Sequence, residues 1–141
     1  MSSGFADART AILTRIASEW GSTTPVRIEN KNFAEPKGDP WLSVHLQPAG
    51  AVNGAIGTGT GSLERYAGVL IAQLFGPENS GTDALIDLAD TFASIFKHVQ
   101  ISSGNSGTIT FDLPDIRNIG PREGAYQINV VCPFRRDRFE T

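Results

Sequence analysis

Gly57, Gly59 and Gly61, in the run Gly54-Ala-Ile-Gly-Thr-Gly-Thr-Gly-Ser62, come nearest in this 141-residue chain to a spacing that does chemistry. Closely spaced glycines let backbone N–H groups gather around a phosphate, and a strong apolar segment follows the run. A phosphate-binding loop also needs a lysine and a hydroxyl residue after its last glycine, because backbone donors alone do not carry phosphoryl chemistry. Here Gly61 is followed by Ser62 and Leu63, with no lysine nearby. A dinucleotide fingerprint requires strand, glycines and then helix, whereas both flanks here read as strand. The run therefore reads as a long hairpin tip, flexible alone and ordered against a partner. A small-ligand or nucleotide-binding domain using this loop stands as the rival reading from a different class.

The remaining reactive residue types are sparse. His45 falls on the polar side of an alternating segment. His98 follows the second helix beside Lys97, where the helix C-terminus favours a cation. Neither histidine belongs to a cluster with zinc-ligand spacing. Asp83, Asp87 and Asp90 recur at intervals of three and four on the helix face opposite Leu85 and Leu88, where a solvated or partner-facing surface explains them ahead of a divalent metal. No GxSxG-type signature is present. The lone cysteine, Cys132, lies in the apolar run Ile128-Asn-Val-Val-Cys-Pro and reads as a packed core thiol. No catalytic residue, cofactor-binding residue or metal ligand is assigned, and no cofactor is expected. Arg135, Arg136 and Arg138 read either as a solubilising tail after the last strand or as a contact to a neighbouring subunit or DNA, for which arginine's bidentate geometry is suited.

The elements that must position these residues follow from periodicity. Phe5, Ala8, Ile12, Leu13, Ile16 and Trp20 form a helical stripe that ends at Gly21. Pro25 to Asn30 reads as a short strand, followed by a polar connection through Pro40. Trp41 to Gln47 alternates, with Leu42, Val44 and Leu46 on one face. Leu63 to Phe75 becomes apolar on both faces, as in a central strand covered on two sides. A second helix starts after Ser80, capped with Asp83, and its core stripe runs through Ala84, Leu85, Leu88, Ala89, Phe92, Ala93 and Phe96. Ile86 and Ile95 fall off that stripe. Short strands are expected near Val99–Ile101 and Thr108–Asp112, an irregular segment over Pro114–Gly124, and a last strand over Tyr126–Cys132. The expected fold is α+β, with two helices on a mainly antiparallel or mixed sheet in one domain over residues 1–141. Within it, residues 49–62 are expected to form a flexible Gly-rich loop and residues 134–141 a basic C-terminal tail.

Composition sets the bounds. Hydrophobic residues make up 40% of the chain and charged residues 19%, and the net charge is −3. That balance fits a globular protein and disfavours free-standing nucleic-acid binding, which needs a basic face. Neither a signal peptide nor a membrane-spanning run is evident, so assembly in a cytoplasm without membrane attachment is expected.

Several stretches together resemble the phage tail terminator (tail completion) proteins of long non-contractile tails. They are Ile28-Glu-Asn-Lys-Asn-Phe33, Pro40-Trp-Leu-Ser-Val-His-Leu-Gln-Pro48, Arg65-Tyr-Ala-Gly-Val-Leu-Ile-Ala-Gln-Leu-Phe-Gly-Pro77, Ser80-Gly-Thr-Asp83 with the helix after it, and Tyr126-Gln-Ile-Asn-Val-Val-Cys-Pro-Phe-Arg-Arg-Asp137. The likeness runs from Phe5 to Asp137. It implies a small α+β subunit that assembles as a six-fold ring on the finished tail tube, stops its polymerisation and presents the surface for the head connector. Genomic DNA passes through the ring without specific binding, and no turnover or cofactor is involved. The place implied is the head-proximal end of the virion tail, after assembly in the host cytoplasm. Another neck or head-completion subunit is the nearest alternative. A closed ring requires one patch to meet a different patch of the next copy. The candidate subunit or partner interface residues are Ile86, Ile95, Gly57, Gly59, Gly61, Arg65, Arg135, Arg136 and Arg138. The segment Ala49–Gly61 is richer in glycine than the family pattern, so the resemblance assigns no role to its individual positions.

Overall fold

The computed structural model describes residues 5–28, 38–53, 62–77, 83–102, 107–122 and 124–140. In chain order these form α1 (Phe5–Glu19), β1 (Val26–Ile28), β2 (Trp41–Asn53), β3 (Ser62–Pro77), α2 (Asp83–Phe96), β4 (Gln100–Ser102), β5 (Thr108–Phe111), β6 (Asp115–Arg122) and β7 (Ala125–Glu140). The fold is α+β, as expected. The strands make one seven-stranded sheet in the order β1-β2-β3-β7-β5-β4, with β6 also paired to β7. β1 runs parallel to β2, and every other pairing is antiparallel.

β3 and β7 form the spine. They pair without interruption from Ser62↔Glu140 to Pro77↔Ala125. The far edge of β7 is shared, its first half by β6 and its second half by β5. β2 covers the other edge of β3, and its register shifts between Pro48 and Gly50. Pro48 supplies no backbone donor and Gly50 takes a φ of 119°, so a bulge here lets the strand continue where the sequence reads as a loop.

Both helices lie on one face of the sheet. Ala8, Ile12, Ile16 and Trp20 of α1 and its last turn, and Leu85, Ala89, Phe92 and Phe96 of α2, pack on Leu42, Val44, Leu70, Leu74, Ile128, Val130 and Cys132. α1 ends where Gly21, at φ 56°, turns its N–H back to the Ile16 carbonyl. Arg15 ties the two helices: its Nε donates to the Ile95 carbonyl at 3.0 Å, satisfying one of the groups a helix C-terminus leaves open, and its guanidinium lies 5.9 Å from the Phe96 ring centre. His98, just past α2, takes a φ of 53°, the left-handed turn that ends many helices. A chain of rings, Trp20–Phe92–Phe96–Phe111–Phe134, crosses the core with centroid separations of 4.7–5.6 Å. It ends on Gly68, the register partner of Phe134, where an added Cβ would stand 2.5 Å from Phe134 Cζ.

Four expectations need correction. β3 is central, yet the helices cover only its Leu70–Ala72–Leu74 side, and Val69, Ile71 and Phe75 are half-buried on the other. The segment 115–122 is a strand, its bulge between Asn118 and Gly120 accommodated by a φ of 101° at Gly120. Residues 134–140 are the second half of β7, not a tail, because β3 pairs with all of them. Finally, β2 reaches Asn53 and β3 starts at Ser62, so much of the supposed loop 49–62 is strand. The expected cap at Ser80 lies outside the described residues.

Candidate assembly surfaces

The two faces of the sheet differ in chemistry. On the face away from the helices, Arg27 of β1 donates through Nε to Ser43 Oγ at 3.2 Å. Ser43 Oγ and Gln73 Oε1 each lie 3.0 Å from His45 Nε2, which links three strands through polar side chains. Trp41 stacks on Phe75 at 4.4 Å, and the Arg27 guanidinium sits 5.0 Å from the Trp41 ring centre. Farther across the sheet, Gln127 Nε2 donates to Asn129 Oδ1 at 2.8 Å. This lattice ties β1, β2 and β3 together through side chains and leaves half-buried Val69, Ile71 and Val131 among polar groups. The alternation of Ser43, His45 and Gln47 marks one polar face, but their partners Arg27 and Gln73 come from other strands and need the register to be found.

The arginines expected at an interface divide by the alternation of β7. Arg65 pairs in register with Asp137 and grips it bidentately, Nε to Oδ1 at 2.7 Å and Nη2 to Oδ2 at 3.1 Å. Arg135 lies on the same face, 3.5 Å from Asp137 and 3.6 Å from Asp112. The Asp137 carboxyl is held below its ordinary range chiefly by the hydrogen bonds from Arg65. Desolvation partly opposes this, and the charges of Arg65 and Arg135 add to it. Arg136 points the other way. It is 1% exposed and lies over the Tyr66 ring at 4.5 Å, so it braces the end of the core. Three of the arginines read as interface groups thus already engage partners within the subunit. Arg138 is placed by register opposite Glu64.

Ile86 and Ile95 also separate. Ile95 is 8% exposed and belongs to the core, because α2 is clasped by α1 on that flank through Arg15. The reading that it falls off the core stripe is therefore corrected. Ile86 is 38% exposed. The other large hydrophobic residues with comparable exposure among the described residues are Leu113, Ile116 and Ile119, in and beside β6. Pro114, Gly120 and Pro121 disguise the strand in the sequence, and with it these residues. Gly57, Gly59 and Gly61 lie outside the described residues.

Cys132 is fully buried, and desolvation pushes its thiol up to about 12, so it is packed and unreactive. Asp83, Asp87 and Asp90 are all exposed on α2. Among the described residues no group of three or more metal-ligating side chains comes together. No helix among them is long and apolar enough to cross a membrane.

Comparison with known proteins places this architecture. A solved structure superposes on the chain with a TM-score of 0.65, covering 94% of this chain and 95% of the other at 15% identity, which shows a shared fold. No curated protein sequence matches the chain. A family model described as phage tail terminator protein matches residues 7–134, from the first turn of α1 to the middle of β7. That match spans most of the chain, and with it the chain belongs to the phage tail terminator protein family, structural proteins of the phage tail that interact with other tail or head proteins.

Proposed function

We propose that the chain is a ring-forming subunit that caps the tail tube, ends its polymerisation and offers the surface to which the head joins. Family membership across residues 7–134 is the observation that carries this reading. The sheet supports it by ending on one side in β1 and on the other in β6 and β4, unlike edges of the kind a head-to-tail ring contact requires. The ring is six-fold, encircles the path of the DNA and works by assembly and not by turnover. A net charge of −3 suits a wall past which DNA slides without adhering.

Deletion of the gene tests the reading directly. Tails of uncontrolled length that fail to join heads are expected, with length control restored by the supplied protein. Normal tail length with heads left unjoined would move the protein to another joint of the neck. Sedimentation velocity over a wide concentration range, with negative-stain imaging of the largest species, checks the ring.

A further inference from the structure

At the β6 edge of the sheet, Ile116 pairs with Val130 and so lies on the helix-covered side, yet it is 39% exposed. α2 turns Ala84, Leu88 and Thr91 toward a cleft against Thr23, Thr24 and Pro25. Its opposite flank, which carries Ile86, therefore faces β6, against which α2 packs. Ile86 on that flank and Ile116 on the helix-covered side of β6 are the exposed apolar residues of one ridge, and Ile119 lies in the bulge of the strand. The outer edge of β6 has no partner strand among the described residues. The Asp115–Arg117 ion pair, the bulge and Pro121 blunt this edge against pairing with another strand, so what Ile86 and Ile116 offer a neighbour is side-chain contact.

The opposite end of the strand order offers the counterpart. Leu13, Ile16, Ala17 and Gly21 of α1 and its C-terminal turn, with Val26 and Ile28 of β1, line a mostly apolar hollow of about 230 Å³. Charge at the two rims is opposite in sign. Asp90 stands one turn beyond Ile86 on α2, and Arg9 stands one turn before Leu13 on α1.

We propose that the Ile86–Ile116 ridge of one copy seats in the Leu13–Ala17–Val26 hollow of the next, with Asp90 facing Arg9 across the contact. The proposal rests on the ring reading above and names its joint. Each copy uses one edge as donor and the other as acceptor, so the contact repeats around the ring until it closes. The polar face of the sheet stays clear of it, free to meet the tube or the head.

Cysteine pairing in the full-length chain tests this, since buried Cys132 does not interfere. Ile86→Cys and Ala17→Cys are made separately, incubated alone and as a mixture, and treated with a short bis-maleimide. The mixture should give covalent dimers and neither variant alone should. A chain carrying both substitutions should give a ladder ending at the ring number. Ile116→Asp should raise the concentration for half-assembly by at least about tenfold, the scale of a lost central anchor. Arg9→Glu and Asp90→Lys should each weaken assembly, and the two together should restore it. If wild type and both variants form rings but the mixture of variants gives no cross-links, or Ile86→Cys alone gives them, the proposed joint is overturned while the ring stands. A wild-type chain that stays monomeric in solution and on purified tails would overturn the ring reading itself.

Discussion

β3 and β7 present two faces that differ in how they are held. Toward the helices, Leu70, Ala72, Leu74, Ile128, Val130 and Cys132 are buried in an apolar core crossed by the aromatic chain from Trp20 to Phe134. Away from the helices, Ile71 and Val131 from the same strands are half-buried among Ser43, His45, Gln73 and Asn129. Burial of rings is worth kilocalories per residue; the Trp41–Phe75 stack brings that to one end of the open face, whereas the exposed ion pairs at its other end contribute little each. The covered face should therefore fix whether the subunit folds, and the open face should fix what it meets. Substitutions that sort by face would sharpen this division, and equal effects on both would break it.

The largest loss is expected at Phe92, which is fully buried against Trp20 and Phe96. Phe92→Ala should cost about 3–5 kcal/mol in urea unfolding, from lost transfer energy and the cavity left behind. Next is Gly68→Ala. The new methyl would press on the Phe134 ring, which already packs on Phe111 at 5.3 Å between centroids. Overpacking of this kind should cost about 1–3 kcal/mol, and Phe134→Leu in the same chain should recover part of it. Equal losses in the single and double variants would show that the ring is free to move aside.

The covered face was legible in the sequence because its signal is local. Ile12 to Ile16 and Leu85 to Phe96 repeat at helical spacing, and Leu42 to Leu46 alternates, so both layers can be read without knowing the register. Much of the open face is not local. Arg27, Ser43 and Gln73 meet only after β1, β2 and β3 align, and Asp137 becomes the partner of Arg65 only through antiparallel pairing. Pro48, Pro121 and Gly120 hid strand continuations because a bulge tolerates residues that a regular ladder excludes. Arg136 was misread for a related reason. Three arginines within four residues suggest a charged tail, but a strand sends alternate side chains to opposite faces, and Arg136 falls on the inner one. Of the interface residues named from sequence, Ile86 keeps an exposed apolar side chain, while its counterpart on β6 needed the strand to be seen.

A smaller effect belongs to the joint between helices. Arg15→Met keeps an apolar stem beside Phe96 but removes the donor to the Ile95 carbonyl, and should cost about 1 kcal/mol. Thermal unfolding followed by circular dichroism reads it. An unchanged midpoint would mean that water replaces the guanidinium without loss.

The smallest effect is expected on the open face, at Asp137, and its sign with pH is fixed. Arg65 holds the folded-state carboxyl below the unfolded value of about 3.9. A depressed carboxylate contributes stability that is fully present above the unfolded value and is lost as pH falls through the folded one. Wild type should therefore exceed Asp137→Asn slightly in melting temperature at pH 6–7, a range about two units or more above that value. The gap should begin to shrink as pH falls below about 4, close only below the folded-state value, and narrow with added salt, because the pair is partly exposed. A gap as large as that of Gly68→Ala, or one that widens in acid, would show that this end of the sheet is held by its charges, and the division between the two faces would fail there.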